Sequence, residues 1–289
     1  MPKNLIGSLE LEDPFDLVAT LESGQVFRWR RVDSKWYAGI VGRYPLLLRQ
    51  EPGKLVYRCD FGIANEIEEA LFAFFRLDDS LLDVYESVNG DAKLSDVIKR
   101  NLGLRLIRQE PWECLISFVC SSVSNIPRIS RNMEAIAKKT VSPKLVDTHS
   151  IYPFPTVAQL ANCREEELRE LGLGFRAKYV TRISWLIANE QFDLFGLKSA
   201  SYNDAKTALM SLPGVGAKVA DCILVFSFDK LQGFPVDRWV RRSIKERYFE
   251  NTYVTDTDIV SWAQERWGSY AGYIQQYLFQ DQRLINARR

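Results

Sequence analysis

The chain has 289 residues, with 38 lysines and arginines against 37 aspartates and glutamates, so its formal net charge at pH 7 is +1. Its length fits about two domains, and its composition, 46% hydrophobic and 26% charged, excludes disordered and fibrous proteins. The single histidine, His149, excludes metal sites built from several histidines, and Ser–His catalysis would need this one residue. These totals alone give no reason to expect nucleic acid or a membrane as partner and favour a cytosolic enzyme with a small-molecule substrate.

The cysteines are odd in number and widely spaced, and none forms a CxxC pair or a close quartet. The spacing therefore predicts neither a zinc site nor an iron–sulfur cluster, and free, mostly buried thiols in a reducing compartment are expected. The first residues contain no apolar run of signal-peptide length, and no segment approaches the ~20 apolar residues of a membrane helix. We expect an intracellular protein without membrane contact. The cysteines are Cys59, Cys114, Cys120, Cys163 and Cys222.

Residues 25–59 have the character of β-strands. They are rich in aromatic and β-branched side chains, with turn signals at residues 32–34 and at Pro52–Gly53. Four short consecutive strands are expected to form an antiparallel meander. A helix is predicted next from apolar residues at helical spacing, namely Ile67, Leu71, Phe74 and Phe75.

From about residue 100 onward the pattern is helical nearly throughout, with short loops that contain proline or glycine. One helix is expected to start at Pro111 and to run through Cys120. The outline is a β-rich domain over residues 1–105 and an all-helical domain over residues 106–289. Further short helices are predicted at residues 132–140, 156–162, 165–171, 179–189 and 202–211.

Residues 209–247 are the most informative stretch of the chain. Gly214 and Gly216 lie in a tight turn between one helix that ends near residue 211 and a second helix predicted over residues 217–228. Glycines in such a turn expose backbone N–H groups, and the following helix N-terminus adds its positive dipole end. The turn therefore fits a phosphate-sized anion. A plain helix stop of the Schellman type is the alternative for a bare PGxG sequence.

Lys218 is predicted in the first turn of a helix that is otherwise apolar around its circumference. The helix dipole and burial both disfavour a cation there, which favours a neutral, nucleophilic amine. A lysine that extends to the surface is the alternative. Cys222 is four residues further on, so the two side chains share a helix face. Small apolar packing is the ordinary role of such a cysteine.

Asp237 follows Pro235–Val236 at the point where a new helix must begin. Aspartate is a preferred N-cap, and a capping carboxylate is held rigid and ionised, as an electrostatic catalyst must be. Both interpretations stay open because they are compatible. The segment 231–249 carries a local charge of +3, which suits phosphates or a solvated helix face. Its basic residues are Arg238, Arg241, Arg242, Lys245 and Arg247.

The stretch LPGVGAKVADC, followed nineteen residues after its lysine by PVD, resembles the helix-hairpin-helix, Gly/Pro-rich, Asp superfamily of base-excision DNA glycosylases. Within it the chain is most similar to the 8-oxoguanine DNA glycosylases that also cleave abasic sites, and the similarity covers most of the chain. The resemblance implies an α+β fold, with a small antiparallel β domain of the TATA-binding-protein-like type before an all-α helix-hairpin-helix domain. Other stretches that carry it are SGQVFRW (23–29), FRLDDSLLDVY (75–85), LIRQEPWECLISFVCSS (106–122), LGLGFRAKYV (171–180) and WGSYAGYIQQYLF (267–279).

The resemblance implies roles for the two central residues. Lys218 would attack the sugar C1′, expel the base and form a Schiff base, which permits β-elimination of the 3′ phosphate. Asp237 would support the developing oxocarbenium charge and help to orient the amine. The expected partner is double-stranded DNA that contains 8-oxoguanine or abasic sites, bound by a monomer. No cofactor is expected, apart at most from a cation bound by backbone carbonyls of the hairpin.

The same resemblance implies a pocket for the damaged base. The carbonyl of Gly24 would accept the N7 proton that distinguishes 8-oxoguanine from guanine. Cys222 and Phe279 would sandwich the flipped base, and Gln275 would bond its Watson–Crick edge. In isolation these residues have ordinary alternatives, namely a turn glycine, a small packing residue, a core aromatic and a solvated amide.

A further group of residues is implied to contact DNA. Phe175 would wedge into the base stack, and Arg128 and Arg176 would face the orphaned cytosine, although isolated arginines are more often surface residues. Gly214 and Gly216 would bind the backbone through the hairpin. The remaining contacts are Asn125, Arg238 and Trp239.

Two departures from the family pattern bear on specificity. The eukaryotic enzymes carry a run of asparagines after the CSS sequence, whereas this chain has Val123 and Ser124 and keeps only Asn125. We therefore expect a weaker preference for cytosine opposite the lesion. Trp239 stands where the superfamily often has histidine near a phosphate, and an indole ring cannot carry the charge that such a contact uses. The absence of a cysteine quartet after Lys218 argues against the iron–sulfur branch, endonuclease III and the adenine glycosylase.

Two alternatives remain beside an 8-oxoguanine glycosylase/lyase. One is a glycosylase for another damaged base, against which the predicted pocket argues. The other is a non-enzymatic DNA-binding module, which would need neither Lys218 nor Asp237 at these positions. Divided near residue 100, the charge is −4 before it (13 basic against 17 acidic) and +5 after it (25 against 20), so the basic surface belongs to the hairpin-bearing part. This predicts salt-sensitive DNA binding. The absence of targeting signals favours a prokaryotic cytosol, with the nucleoid, and a nuclear protein is the alternative.

Overall fold

The computed structural model of the protein describes residues 5–250 and 252–287. Residues 1–4, 251 and 288–289, which belong to the two predicted domains, lie outside the described residues. Among the described helices, none is both long and apolar enough to cross a bilayer.

A five-stranded antiparallel sheet organises the N-terminal part, with the strand order β1-β5-β4-β3-β2. The four-strand meander predicted over residues 25–59 is confirmed as β2 to β5. The strand β1 was not predicted, because Gly7 interrupts its pattern. The structure needs a glycine there, since a Cβ would lie 2.2 Å from the Tyr57 hydroxyl oxygen on β5. The strands are β1 (Leu5–Glu10), β2 (Arg30–Arg31), β3 (Tyr37–Val41), β4 (Tyr44–Glu51) and β5 (Lys54–Cys59).

Two helices, α1 (Leu17–Glu22) and α2 (Ala64–Phe74), complete the N-terminal core. The predicted helical spacing after residue 66 is confirmed, because its apolar residues pack against the sheet. These contacts bury branched and aromatic side chains, which gives the small domain its hydrophobic stabilisation. The fully buried members include Leu46, Leu48, Leu55, Tyr57, Ile67, Leu71 and Phe75.

The remainder of the chain is mainly helical, as predicted. The helix α6 begins six residues before the predicted start, because the side chain of Asn125 caps it and Pro127 occupies its first turn. The helices are α3 (Leu81–Glu86), α4 (Ala92–Arg100), α5 (Pro111–Val119), α6 (Ile126–Thr140), α7 (Val157–Ala161), α8 (Glu165–Leu168), α9 (Ala177–Ala188), α10 (Tyr202–Met210), α11 (Ala217–Ser227), α12 (Arg238–Tyr248), α13 (Asp256–Trp267) and α14 (Ala271–Ala287).

A short β-hairpin, β6 (Lys144–Val146) and β7 (His149–Ile151), is an exception to the all-helical prediction for this part. Its strands are three residues long, too short for a period-2 pattern to stand out. The hairpin packs against the outer face of the N-terminal sheet and forms a small core with it. The buried members are Trp36, Ala38, Leu47, Val56, Val146 and Ile151.

The largest hydrophobic core joins most of the helices. It also includes side chains that precede residue 106, such as Phe27, Leu81 and Leu94. Buried Arg76, which follows α2, donates to the carbonyl of Val225 on α11 at 3.2 Å and pairs with Asp229 at 2.6 Å. The N-terminal part is thus bonded to the helix that contains Lys218. The domain boundary at residue 105 stays a prediction.

Candidate active site

The predicted helix-hairpin-helix is confirmed as α10, the turn of residues 211–216 and α11. Gly214 has φ +81°, and a Cβ there would lie 2.5 Å from the Tyr179 ring, so only glycine fits. Gly216 is exposed, has open space where a Cβ would be, and precedes α11 without a side-chain cap. The N-terminus of α11 therefore presents uncapped N–H groups beside a residue that a phosphate can approach closely.

A buried polar cluster bonds the two hairpin helices together. Asp221 on α11 is 1% exposed and accepts hydrogen bonds from the Tyr202 hydroxyl at 2.6 Å and from Lys206 Nζ at 2.9 Å, both on α10. Burial raises the pKa of Asp221, and the charge of Lys206 and the Tyr202 bond act in the opposite direction. This cluster fixes the orientation of α11 one turn after Lys218.

Lys218 lies in the first turn of α11 and is half-buried. Its Nζ is 5.5 Å from the ring centroid of Phe118 on α5. That ring stacks on Phe226 at a centroid distance of 5.5 Å and meets Phe27 edge-on at 5.6 Å. The amine thus rests against an ordered aromatic cluster, which restricts its position. Sequence reasoning did not identify Phe118, because its contact with Lys218 joins distant parts of the chain.

Cys222 lies one helical turn after Lys218 and is 4% exposed. Burial raises the pKa of its thiol to about 11; the charge of Lys218 lowers this pKa, whereas the charges of Asp221 and Asp237 raise it. Lys218 and Asp237 are therefore both near this sulfur. At neutral pH the thiol of Cys222 is protonated and uncharged.

Asp237 caps α12, as predicted. Its Oδ1 accepts hydrogen bonds from the backbone N–H groups of Trp239 at 2.9 Å and Val240 at 2.8 Å. Its Oδ2 has no hydrogen-bond partner among the described residues. The carboxylate is thus held by one oxygen and leaves the other free for a positive charge.

The helix α14 places two more predicted residues beside this cluster. Gln275 is 5% exposed, and its Nε2 donates to the carbonyl of Pro235 at 3.1 Å. Its Oε1 is buried and has no partner in the described part of the chain. Phe279 follows one turn later, half-buried, with the guanidinium of Arg283 5.7 Å from its ring centroid. The unpartnered Oε1 is an acceptor available to a ligand.

Gly24 lies in the loop between α1 and β2. It has φ +83°, and a Cβ would lie 2.4 Å from Cδ1 of Ile126. The carbonyls of Glu22, Ser23 and Gln25 all accept hydrogen bonds from side chains. The carbonyl of Gly24 accepts none from the described residues. The carbonyl without a partner in this loop is therefore that of Gly24, which the resemblance implies accepts the N7 proton of the damaged base.

The loops predicted to contact DNA are exposed in part. Asn125 accepts from the backbone N–H of Arg128 at 3.0 Å as the cap of α6, and both residues are exposed. Arg128 also donates to the carbonyl of Gly172 at 3.2 Å. Phe175 is exposed in a turn between Gly174 and α9, and it meets Tyr179 edge-on at 6.1 Å.

Arg176, which the resemblance implies faces the orphaned cytosine, is buried and bonded to backbone carbonyls in this structure. It is 1% exposed and donates to the carbonyls of Ser122 (2.7 Å), Val123 (2.6 Å) and Leu173 (3.1 Å). It therefore supports the loop before α6. Direct contact with an opposite base stays a prediction.

The basic segment after Asp237 is largely paired within the protein. Arg241 pairs with Asp256, Arg242 with Glu246 and Arg247 with Asp281. Arg238 is exposed, has no carboxylate partner among the described residues, and lies 4.5 Å from the ring centroid of Trp239. Within the described residues, Arg238 and the part-buried Lys245 are thus the basic residues of this segment without an ion-pair partner, and Arg238 is the exposed one. No group of three histidine, cysteine or acidic side chains within the described ranges is arranged to hold a metal ion.

The comparisons with known proteins identify the family of the chain. Residues 8–115 match the 8-oxoguanine DNA glycosylase N-terminal domain, and residues 116–268 match the HhH-GPD superfamily of base excision DNA repair proteins. The N-glycosylase/DNA lyase OGG1 of Arabidopsis thaliana is 32% identical over 281 residues, covering 91% of this chain and 76% of the relative. A probable N-glycosylase/DNA lyase of Methanothermobacter thermautotrophicus is 30% identical over 291 residues, covering 92% of both.

Among solved structures, the 8-oxoguanine glycosylase/lyase of Clostridium acetobutylicum, in complex with double-stranded DNA that contains cytosine opposite 8-oxoguanine, has a TM-score of 0.90. It is 30% identical, and the alignment covers 99% of this chain and 100% of that one. The chain belongs to the HhH-GPD superfamily of base excision DNA repair proteins. Within this class it is a member of the 8-oxoguanine DNA glycosylase family, whose curated relatives are N-glycosylase/DNA lyases.

Proposed function

We propose that this protein excises 8-oxoguanine from duplex DNA with Lys218 as nucleophile and then cleaves the strand at the resulting abasic site. The observation that carries the proposal is that Lys218, in the first turn after the hairpin turn, and Asp237, the N-cap of α12, are both close enough to the buried Cys222 for their charges to act on its thiol. A DNA-binding module without activity has no need of this pair. The relatives named as N-glycosylase/DNA lyases support the reaction class.

In the first step the neutral amine of Lys218 attacks C1′ of the deoxyribose. The C1′–N9 bond breaks, its electron pair leaves with the base, and the base takes up a proton. The free Oδ2 of Asp237 stabilises the positive charge that develops on the sugar, while its Oδ1 bonds keep the carboxylate in place. Opening of the sugar ring then gives an imine between Lys218 and C1′.

In the second step the imine makes the C2′ hydrogen acidic. Loss of a C2′ proton moves an electron pair into a C2′–C3′ double bond, and the C3′–O bond breaks so that the 3′ phosphate leaves. Water then hydrolyses the imine and regenerates the Lys218 amine. The reaction consumes water and needs neither an oxidant nor a reductant, which supports a cofactor-free enzyme.

Recognition of the damaged base would depend on acceptors that the protein leaves free. The N7 of 8-oxoguanine carries a hydrogen, which the carbonyl of Gly24 can accept. The N7 of guanine carries a lone pair instead, so N7 and the Gly24 carbonyl would be two acceptors that face each other without a hydrogen. Leaving such a group without a hydrogen bond costs about 1–3 kcal/mol. Gln275 Oε1 would accept from the Watson–Crick edge, and Cys222 and Phe279 would contact the two faces of the base.

Contact with the duplex would come from the hairpin and the exposed loops. Gly214, Gly216 and the N-terminus of α11 would bind a backbone phosphate, and Arg238 would add a nearby charge. Phe175 would insert into the base stack, while Asn125 and Arg128 would face the opposite base. With Val123 in place of an asparagine, the preference for cytosine opposite the lesion would be weak.

The proposal extends to the oligomeric state of the protein, its cellular location and the contact made by Trp239. It would act as a monomer, since the site is built from one chain. It would work with the chromosome, in the cytosol of a prokaryote or in the nucleus of a eukaryote. Trp239 would contact DNA through its ring rather than through a charge.

Trapping of the covalent intermediate tests the mechanism. The protein is mixed with a duplex containing 8-oxoguanine, borohydride is added, and a covalent protein–DNA adduct is measured by gel electrophoresis. Wild type should give an adduct and Lys218→Gln should give none. An undiminished adduct with Lys218→Gln, or none with wild type, would refute the proposed reaction.

A further inference from the structure

The loop that contains Gly24 is held by three side chains from outside the loop, and of the four carbonyls over residues 22–25 they leave that of Gly24 free. Arg283 Nη1 donates to the carbonyl of Glu22 at 3.0 Å, and Gln276 Nε2 donates to that of Ser23 at 3.2 Å. Gln109 Nε2 donates to the carbonyl of Gln25 at 2.9 Å. We call Gln109, Gln276 and Arg283 the loop clamp.

Two members of the loop clamp belong to α14, the helix that also contains Gln275 and Phe279. Arg283 follows Phe279 by one helical turn, and a Cβ on Gly24 would lie 3.3 Å from its Nη1. The helix therefore orients the Gly24 loop and two walls of the proposed pocket together. The N-terminal loop is thereby aligned with a pocket built by the helical part.

The side chain of Gln25 rigidifies the loop from within. Its Nε2 donates to the carbonyl of Arg105 at 2.8 Å and to that of Thr20 at 3.1 Å, and its Oε1 accepts from the backbone N–H of Ile107 at 2.7 Å. Both ends of its amide are thus bonded in a fully buried position. These bonds stabilise the loop whether or not a base is present, whereas the loop clamp sets its position relative to α14.

The burial and the hydrogen bonds of Arg283 indicate that this side chain holds the loop in place. Burial lowers the pKa of its guanidinium, with the charge of Glu22 acting in the opposite direction. It has no carboxylate within ion-pair distance among the described residues, and its Nη1 bonds only to the Glu22 carbonyl and to Gln280 Oε1 at 2.9 Å. Its burial is thus offset chiefly by hydrogen bonds to a backbone carbonyl of the loop and to a side-chain amide rather than by an ion pair.

From these contacts we propose that Arg283 and Gln276 are positioning residues that set the selectivity of the base pocket, by fixing the Gly24 carbonyl where the N7 hydrogen of the lesion arrives. The inference rests on the proposed function, since it takes Gly24 as the reader of the damaged base. Gln109 contributes the third bond from the opposite side of the loop.

The test compares two reactions that share Lys218 but differ in their need for the base pocket. For Arg283→Met/Gln276→Leu, single-turnover excision of 8-oxoguanine should slow at least tenfold, and cleavage of a preformed abasic site should stay within twofold of wild type. Arg283→Lys, which can still donate to the Glu22 carbonyl, should recover part of the excision rate. Arg164→Met, an exposed arginine far along the chain, is the matched control and should leave both rates unchanged.

Hydrogen exchange supplies a second measurement. In Arg283→Met/Gln276→Leu, exchange should increase in peptides that cover residues 20–27 and not in those that cover residues 211–222. Unchanged excision, or a parallel fall of both reactions, would overturn the inference. A wild-type protein that cleaves neither substrate would refute the proposed function instead, so the two failures are distinguishable.

Discussion

Gln275 donates a hydrogen bond from Nε2 to the backbone carbonyl of Pro235, two residues before Asp237. The bond joins α14, which forms part of the proposed base pocket, to the segment that presents the catalytic carboxylate. It also fixes the orientation of the Gln275 amide, so that Oε1 is the atom left without a partner. The hydrogen bond therefore couples the position of Gln275, which is proposed to bind the base, to that of Asp237, which is proposed to stabilise the charge on the sugar.

Gln275→Leu should weaken excision of 8-oxoguanine and spare abasic-site cleavage. The substitution removes the acceptor for the base and leaves the buried Pro235 carbonyl without its donor, at about 1–3 kcal/mol for each lost partner. We expect kcat/KM for excision to fall roughly 10- to 100-fold. The measurement is single-turnover excision beside cleavage of a preformed abasic site. An equal loss in both reactions would show that Gln275 acts only through folding.

Gly24→Ala should reduce both stability and excision. The residue has φ +83°, which costs an alanine about 1 kcal/mol, and the new Cβ would lie 2.4 Å from Cδ1 of Ile126. The loop must shift, which moves the Gly24 carbonyl away from the proposed position of N7. Thermal unfolding and excision rates measure the two effects.

A double variant separates these two contributions. Ile126→Ala should recover part of the melting temperature lost in Gly24→Ala, because it removes the atom that clashes, although it also leaves a small cavity. Excision should stay impaired, since the strained φ remains. Full recovery of excision in Gly24→Ala/Ile126→Ala would argue against a role of the Gly24 carbonyl.

Two substitutions of Asp237 distinguish its structural role from its chemical one. Asparagine is about as good an N-cap as aspartate, so Asp237→Asn should keep the stability of the protein, whereas Asp237→Ala should lose about 1 kcal/mol. Both remove the negative charge that the sugar needs, and we expect excision to slow at least 100-fold in each. Duplex affinity should change little. Normal turnover by Asp237→Asn would refute its assigned role.

The parts of the site that local sequence determines were predictable. The PGVG turn before an apolar helix predicts the hairpin, and an aspartate before a basic helical segment predicts the cap of α12, because both depend on residues within one turn. The surroundings of Gly24 were not predictable in this way. Its loop is held by Gln276 and Arg283, which are more than 250 positions away from their partners.

The same difference between local and distant contacts explains where the predicted fold was wrong. The strand β1 pairs with β5 across about 50 residues, and the hairpin β6–β7 depends on the outer face of the sheet. Such short strands take their stability from partners that no local pattern records. The bonds of Arg176 were not predictable for the same reason, because the fold brings together the three carbonyls that it contacts.

The buried thiols predict how stability depends on pH. Burial raises the pKa of Cys222 to about 11 and that of Cys120 to about 12, above the value of about 8.5 for an unfolded thiol. The folded protein therefore holds these protons where the unfolded chain releases them. The contribution of these two protons to the free energy of unfolding is complete below about pH 8.5, and it is lost as the pH rises toward 11.

Cys222→Ala isolates one of these protons. Between about pH 9 and 11 the unfolding free energy of this variant should fall less steeply than that of wild type, by up to about 1.4 kcal/mol per pH unit. Urea unfolding at several pH values gives the two slopes. The comparison uses slopes because the cavity lowers the stability of the variant at every pH. Equal slopes would indicate that the Cys222 thiol titrates normally in the folded protein.

Val123 connects backbone strain with the choice of opposite base. It is a β-branched residue with φ +50°, a conformation that such residues rarely adopt, and its side chain is 87% exposed in the loop that Arg176 supports. Asparagine tolerates this conformation and adds hydrogen-bonding groups. We expect Val123→Asn to stabilise the protein by about 1 kcal/mol and to increase its preference for cytosine opposite 8-oxoguanine. Excision rates with cytosine, adenine, guanine and thymine opposite the lesion, measured for both proteins, check the second effect; a strict cytosine requirement in wild type would contradict it.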